Sequence, residues 1–598
     1  MPAHPSGYMQ LSKSLKQVVI IQLVIPVVLL AMGIYKGLLQ LIYEAGITPD
    51  NAGVFTDQLY VFTGQSMLYA MVFTSFFTTA FGHVIVTFYL QLEPGKKSAW
   101  AGFVLMFTGA LLFFFTGMDS ANVTLLQLHP LFYSGIIVFI IGSWIPLRSW
   151  SGIYRQWKKN NPASVPPLAV SGIGVYGIIW IACSVIIAGE VIIALLPGSM
   201  GLLPSMNTAV FKTITGYFYH ALLFCRIVPL YIMLFTVLPG VAGGRLYSNT
   251  GARVVLFCLV ILSVPFLNNP SNPGTVNYGM LITGIITAFI LTISLEYAGR
   301  KNGAKKTWFS WVERLPYFDE RKYLFAYLFC ALVLLMLGSV SSLNNTPLSD
   351  NTTWITGSFH LTITGPVFLS IAGMSLYLYT HLSGKKIIWP KLNVTIPYLW
   401  VMGMLLFSFG LYWGGLLGQP RFNHTGESSY NTGSVLFSSE WDQANTLTLL
   451  GGLILLVAGT LFVLIFWGTM LGKKTEASIL NIPVSTSYHP EKSFFLINRF
   501  NPWLIIIGVL VAATILPPLL NEAGYSESNT PVLSLNDKPA VQATSLPARQ
   551  LPLAITKDYG LLLGFLAAVG VFVLILLFCV QASGLQRKLR SQKTSFPG

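Results

Sequence analysis

Apolar runs of membrane-spanning length recur from one end of this chain to the other. Fourteen can be counted, at roughly 18–41, 66–91, 99–118, 129–148, 170–196, 216–239, 252–267, 276–297, 322–343, 358–381, 396–418, 446–471, 501–520 and 559–582. All but the short seventh are long enough to cross about 30 Å of hydrocarbon as a helix. Inside a bilayer every backbone N–H and C=O must be satisfied within the protein, which leaves helices and closed barrels. A barrel would show ~10-residue segments of alternating hydropathy instead. The sequence therefore predicts an all-α polytopic membrane protein. Only 9% of its 598 residues are charged, against about 25% in an ordinary soluble chain. The first run, from about Val18, is too long for the apolar core of a cleaved signal.

The formal net charge of +15 does not indicate a nucleic-acid partner. The lysines and arginines sit in alternate short loops: 95–97, 148–159, 245–253, 300–322, 385–391, 473–499 and 587–593. The intervening loops are poor in basic residues. With fourteen spans all basic loops fall on one side, and that asymmetry predicts a cytoplasmic side holding both termini. The other loops, such as NNPSNPG and NNTPLSDNTT, are built of turn formers. The five cysteines, Cys183, Cys225, Cys258, Cys330 and Cys579, lie in or near apolar runs with no CxxC. They read as small core residues.

Ionisable side chains at membrane depth are costly and mark functional positions. Here they are few: Glu190 in the fifth run, His220 and Arg226 in the sixth, and His360 opening the tenth, with Glu296 at an interface. Counted at 1.5 Å per residue from the expected span ends, Arg226 lies about 15 Å and Glu190 about 10 Å below the outer surface. A buried Glu190–Arg226 charge pair is the expectation, with helix packing and function as equal readings of it. His220 and Phe224, four apart, share a helix face. A lone histidine on such a face is more often a hydrogen-bonded core residue than a ligand.

Several segments, in order along about 60–480, resemble subunit I of the heme-copper oxidases, specifically the B family of ba-type cytochrome oxidases. They are RQWKKNNP from Arg155, Gly189-Glu190 with the following LLPGSMGL, IVPLYIMLFTVLPGVAGGRL, SLEYAGR, NTTWITGSFHL and GLYWGGLLGQPR. The resemblance implies a twelve-helix core within residues 18–480, after a cytoplasmic tail of 1–17. Residues 481–598 form an extension with about two further helices and a polar outer loop. It also implies two hemes and a copper ion, but the ligand positions are mostly substituted. His360 matches the low-spin heme ligand of the tenth helix, while its second-helix partner falls on Gln65 and the high-spin heme ligand on Ser358. His220 matches one copper ligand; the histidine pair that completes the copper site falls on Asn268 and Asn269, and the cross-linked tyrosine on Phe224. Of two propionate-binding arginines Arg421 remains and the other falls on Phe422. In the proton path Tyr231 matches a family tyrosine and Phe235 replaces another.

Serine and asparagine are poor ligands for heme iron or for copper beside imidazole. The resemblance therefore implies a cytochrome c oxidase subunit I-like protein that has lost its catalytic residues, with no cofactor or at most one b-type heme on His360. It would act as a non-catalytic or regulatory subunit in a prokaryotic cytoplasmic membrane, with other respiratory oxidase-type subunits as partners. Two alternatives stand beside it. One is a working, heme-bearing oxidoreductase of the superfamily. The other is a transporter or channel using a vacated cavity lined by His220, Arg226, Asn268, Asn269 and Ser358.

Overall fold

The structure is a computed structural model. It describes residues 11–44, 52–117, 128–203, 205–206, 208–265, 274–303, 310–341, 352–419, 439–474, 482–488, 498–524 and 533–534. Thirteen main helices follow one another: α1 (Lys13–Glu44), α2 (Ala52–Leu90), α3 (Lys96–Gly117), α4 (Pro130–Asn160), α5 (Leu168–Glu190), α6 (Thr208–Thr236) and α7 (Asn249–Leu262), then α8 (Gly274–Lys301), α9 (Tyr323–Ser341), α10 (Thr353–Ser383), α11 (Pro390–Leu416), α12 (Asp442–Leu471) and α13 (Phe500–Gly524). Twelve segments in the described residues are long and apolar enough to cross a membrane. They match twelve of the expected runs. The seventh forms the shorter apolar helix α7, below spanning length. The fourteenth, 559–582, lies outside the described residues. Two-residue strands pair antiparallel, with Ser205 opposite Ser534 and Met206 opposite Leu533.

Helix lengths correct the sequence boundaries where polar residues extend a helix past the hydrocarbon. The sixth run reads apolar from 216, yet α6 begins at Thr208; the fourth ends near 148, yet α4 continues to Asn160. Lys158 and Lys159 occupy the last turn of α4, where cations oppose the negative end of the helix dipole.

Two helices depart from α geometry, both just before a proline. A π-helical turn, Val191–Leu195, follows α5 and leads into Leu196-Pro197. A second, His360–Thr364, interrupts α10 and leads into Gly365-Pro366. Proline offers no N–H and its ring collides with the carbonyl four residues back. A widened turn relieves that collision, and the Leu196 N–H reaches the Val191 carbonyl while the Gly365 N–H reaches that of His360. Such turns concentrate at functional sites.

Described parts of the N-terminal tail and of several basic loops contact neighbouring loops and helix ends. The Ser12 N–H donates to Glu93 Oε1 at 2.7 Å and the Trp100 indole to Ser14 at 3.0 Å. Leu246 pairs with Ser487, and Lys385 pairs with Lys474 and donates to the Met470 carbonyl. Arg253, counted in the sequence as a loop residue, is instead 2% exposed on α7. Its guanidinium donates to Ser171 Oγ at 2.6 Å and to the Pro166 carbonyl, tying α7 to the start of α5. Glu296 forms an exposed pair with Arg300 at 2.6 Å.

Helix pairs close through small residues. At Gly451 of α12 an added Cβ would drive into the Phe407 backbone nitrogen of α11. Gly152 of α4 has open space at the same point. Gly451→Ala should therefore lower stability by about 1–3 kcal/mol, as overpacking does. Gly152→Ala should be neutral or stabilising by up to about 1 kcal/mol. Thermal unfolding of the two variants in one detergent checks this; equal midpoints would refute the close α11–α12 contact.

Candidate functional site

His220 lies half-buried on α6, and its role is set by α7. Its Nε2 stands 2.9 Å from the Leu262 carbonyl, in the last turn of α7. A carbonyl can only accept, so Nε2 carries the proton and donates. The histidine thus satisfies one of the carbonyls that a helix C-terminus leaves open. Phe224, one turn on and 2% exposed, packs against the imidazole with ring centroids 5.3 Å apart. One nitrogen of the residue in the expected copper-ligand position is engaged in capping, and the neighbouring ring has no hydroxyl.

Ser358 is buried on α10, two residues before the π-helical turn that His360 opens. The half-buried His360 ring meets Phe359 and Phe407 edge-on, at 5.8 and 5.3 Å. The widened turn shifts the helical phase between this end of α10 and its remainder. Asn268, Asn269 and Arg421 lie outside the described residues; Gln65 lies on α2, its side chain likewise outside them.

The described residues do not by themselves fit a copper ion, and Asn268 and Asn269 lie outside them. Among the described residues no three His, Cys, Asp or Glu side chains stand where they could hold a metal together, and His220 is accounted for by its cap. They do not fit a high-spin heme through Ser358 either, since a hydroxyl is a poor donor to heme iron. His360 carries an imidazole, a donor that suits heme iron.

Glu190 and Arg226 are both buried, at 7% and 4% exposure, but the expected ion pair is not among the contacts of the described residues. The reason lies in where α6 starts. Cys183 of α5 faces Cys225 of α6, which sets the level of Arg226. Glu190 is seven residues further along α5, about 10 Å outward. Its polar neighbour is Thr215, ten residues before Cys225 on the antiparallel α6. Counting from Thr208 rather than 216 moves Arg226 deeper, beside Tyr219 and Cys225.

Below this level Tyr231 is fully buried and faces Thr283 and Thr287 of α8. Both threonine hydroxyls donate to carbonyls of their own helix, Thr287 to Thr283 at 2.7 Å. Phe235 packs on Tyr231 at 5.9 Å. Phe224 lies two turns earlier on the same helix. Three further histidines among the described residues make packing or capping contacts, while His4, His424 and His489 lie outside them. His83 is fully buried on α2 and accepts at Nδ1 from the Trp150 indole at 3.1 Å. His129 accepts from the Leu131 N–H at the start of α4, and His381 stacks on Tyr377. Of the cysteines, Cys183, Cys225 and Cys330 are buried and Cys258 half-buried; Cys579 lies outside the described residues.

Sequence reasoning missed Arg253 and the two π-helical turns. Arg253 was hidden by its place at the end of a basic loop. The turns had a signal: each proline lies inside an apolar run, two residues past the widened turn.

The comparisons agree with this architecture. The pattern of the family described as Cytochrome C and Quinol oxidase polypeptide I matches residues 17–454. Cytochrome c oxidase subunit 1 of Thermus thermophilus is 26% identical over 499 residues, which are 77% of this chain and 86% of that one. A second Thermus thermophilus cytochrome c oxidase subunit 1 is 36% identical over 67 residues, 11% of this chain and 62% of that one. A heme-copper terminal oxidase dimer solved by cryo-electron microscopy contains a similar chain. The TM-score is 0.78 at 28% identity, covering 85% of this chain and 93% of that one. A family pattern over most of the chain, on a fold shared nearly end to end, makes this protein a member of the Cytochrome C and Quinol oxidase polypeptide I family, a heme-copper oxidase subunit I.

Proposed function

We propose that this protein keeps the subunit I scaffold but does not reduce oxygen at a heme–copper centre. It serves as a non-catalytic or regulatory membrane subunit alongside oxidase-type subunits. The observation that carries the reading is His220: its Nε2 caps α7 through the Leu262 carbonyl at 2.9 Å, with Phe224 against its ring. The Ser358, Asn268, Asn269 and Gln65 positions support it through their chemistry, since none is a strong ligand for heme iron or copper. The packing of Phe235 on Tyr231 supports it on the proton side, because phenylalanine has no proton to pass. The alternation of basic loops supports a prokaryotic cytoplasmic membrane with both termini inside. The B-family segments support descent among ba-type oxidases.

One observation favours a second, lesser role. His360 opens a π-helical turn and is flanked edge-on by Phe359 and Phe407. It would hold a single b-type heme, with chemistry confined to electron transfer.

A reduced-minus-oxidised visible spectrum with metal analysis on the same purified sample decides between these readings. The expected result is no copper and no oxygen uptake with a reduced donor. One b-type band that disappears in His360→Ala would establish the electron-transfer role. Two hemes with stoichiometric copper would overturn the proposal.

His220 gives a sharper check. If its role is to cap α7, His220→Ala should cost about 1–3 kcal/mol, since the Leu262 carbonyl loses a buried donor. Copper content should not change. Stability that is unaffected, together with copper that is lost, would restore His220 as a ligand.

A further inference from the structure

Helix α11 starts from a strained residue. Trp389 lies in the left-handed region at φ 50, ψ 58, immediately before Pro390. That conformation is unfavourable for a side chain with a Cβ, and a following proline pushes its predecessor toward extended backbone instead. The other non-glycine residue with positive φ among those described, Gln91, closes the end of α2 with its amide on the Phe88 carbonyl at 2.6 Å. Trp389 makes no side-chain hydrogen bond to the helix it precedes and is 58% exposed. Residues held in such strain cluster at functional sites and ligand clamps.

Beside it lies an open groove of about 580 Å³, lined by Glu320, Trp389, Pro390, Lys391 and Leu392. Phe318, two residues before Glu320, is exposed as well and packs on Tyr398 of α11 at 5.0 Å. The floor is apolar, the tryptophan is of the kind that settles at a membrane interface, and two opposite charges share the walls. Glu320 and Lys391 do not close on each other: no ion pair joins them among the described residues.

We propose that this groove binds one zwitterionic aminophospholipid, its phosphate on Lys391, its ammonium on Glu320 and its glycerol and upper acyl region against Trp389, Pro390 and Leu392. Lys391 alone would accept any phosphate. Glu320 selects, because a carboxylate repels a purely anionic headgroup and accepts hydrogen bonds from a primary ammonium that a quaternary one cannot donate. Trp389, exposed and next to Pro390, supplies the apolar wall of the groove. Neither metal chemistry nor the proposed loss of oxidase activity enters this inference.

The test uses the full chain, purified in mild detergent and stripped of lipid. It is titrated with phosphatidylethanolamine, phosphatidylglycerol or phosphatidylcholine while retained lipid is counted by native mass spectrometry. The wild type should retain one phosphatidylethanolamine per chain, roughly tenfold more tightly than the other two, as one charge-assisted contact provides. Glu320→Gln should abolish that preference, and Lys391→Gln should weaken all three lipids. The double exchange Glu320→Lys with Lys391→Glu should restore the preference for phosphatidylethanolamine. Trp389→Gly relieves the backbone, so its melting temperature should hold or rise while lipid retention falls. Phosphatidylglycerol held as well as phosphatidylethanolamine by the wild type would overturn the proposal. So would full retention by Trp389→Gly, or displacement of the lipid by glycerophosphoethanolamine at equal concentration.

Discussion

Hydrocarbon offers a backbone no hydrogen bonds, and the architecture of this chain follows from that. Each span must satisfy its own N–H and C=O groups, so each becomes a helix. What remains adjustable is how closely helices approach and where their hydrogen-bond ladders are interrupted. Close approach is obtained through residues such as Gly451 and Gly338, the latter set against the Thr362 backbone inside the π-helical turn of α10. The chain answers Pro197 and Pro366 with the same device, a turn of π-helix just ahead of each. The adjustable places are also where the chemical side chains lie: Glu190 ends the helix before one turn and His360 opens the other.

The helical fold was legible because its signal is long and redundant. Twelve of the fourteen apolar runs correspond to spanning helices among the described residues. The alternation of basic loops needs no tertiary knowledge to read. The seventh run was the weakest by length, and it became α7, too short to span yet placed to present Leu262 to His220. The family resemblance rests on segments in the right order, so it survives the low overall identity of the Thermus subunit.

The site was less legible, because depth and azimuth cannot both be read from spacing. Arg226 and Glu190 seemed near enough in depth to pair because α6 was started at the first apolar residue. Its true start at Thr208 drops Arg226 relative to α5, and the Cys183–Cys225 contact fixes the offset. Arg253 shows the reverse error. A cation at the end of a basic loop looks solvated, but α7 carries it under the α4–α5 connection, where Ser171 and Pro166 receive it. In both cases the identity of the residue was informative and its partner was not, since the partner belongs to another helix.

The scaffold and the centre it carries in this family answer to different constraints. The scaffold needs apolar surface, small residues at crossings and capped helix ends, and many sequences satisfy that. A copper site needs several donors at once, and a single surviving imidazole has no affinity to defend. Once its companions are replaced, such a histidine is retained only if something else uses it. The Leu262 carbonyl does. On the proposed reading His220 persists at a ligand position through helix capping, and fold membership does not carry the reaction with it. On the proposed reading, the same reasoning accounts for Phe224 beside His220. A buried tyrosine without a partner costs free energy, whereas phenylalanine packs on the imidazole and leaves no polar atom to satisfy.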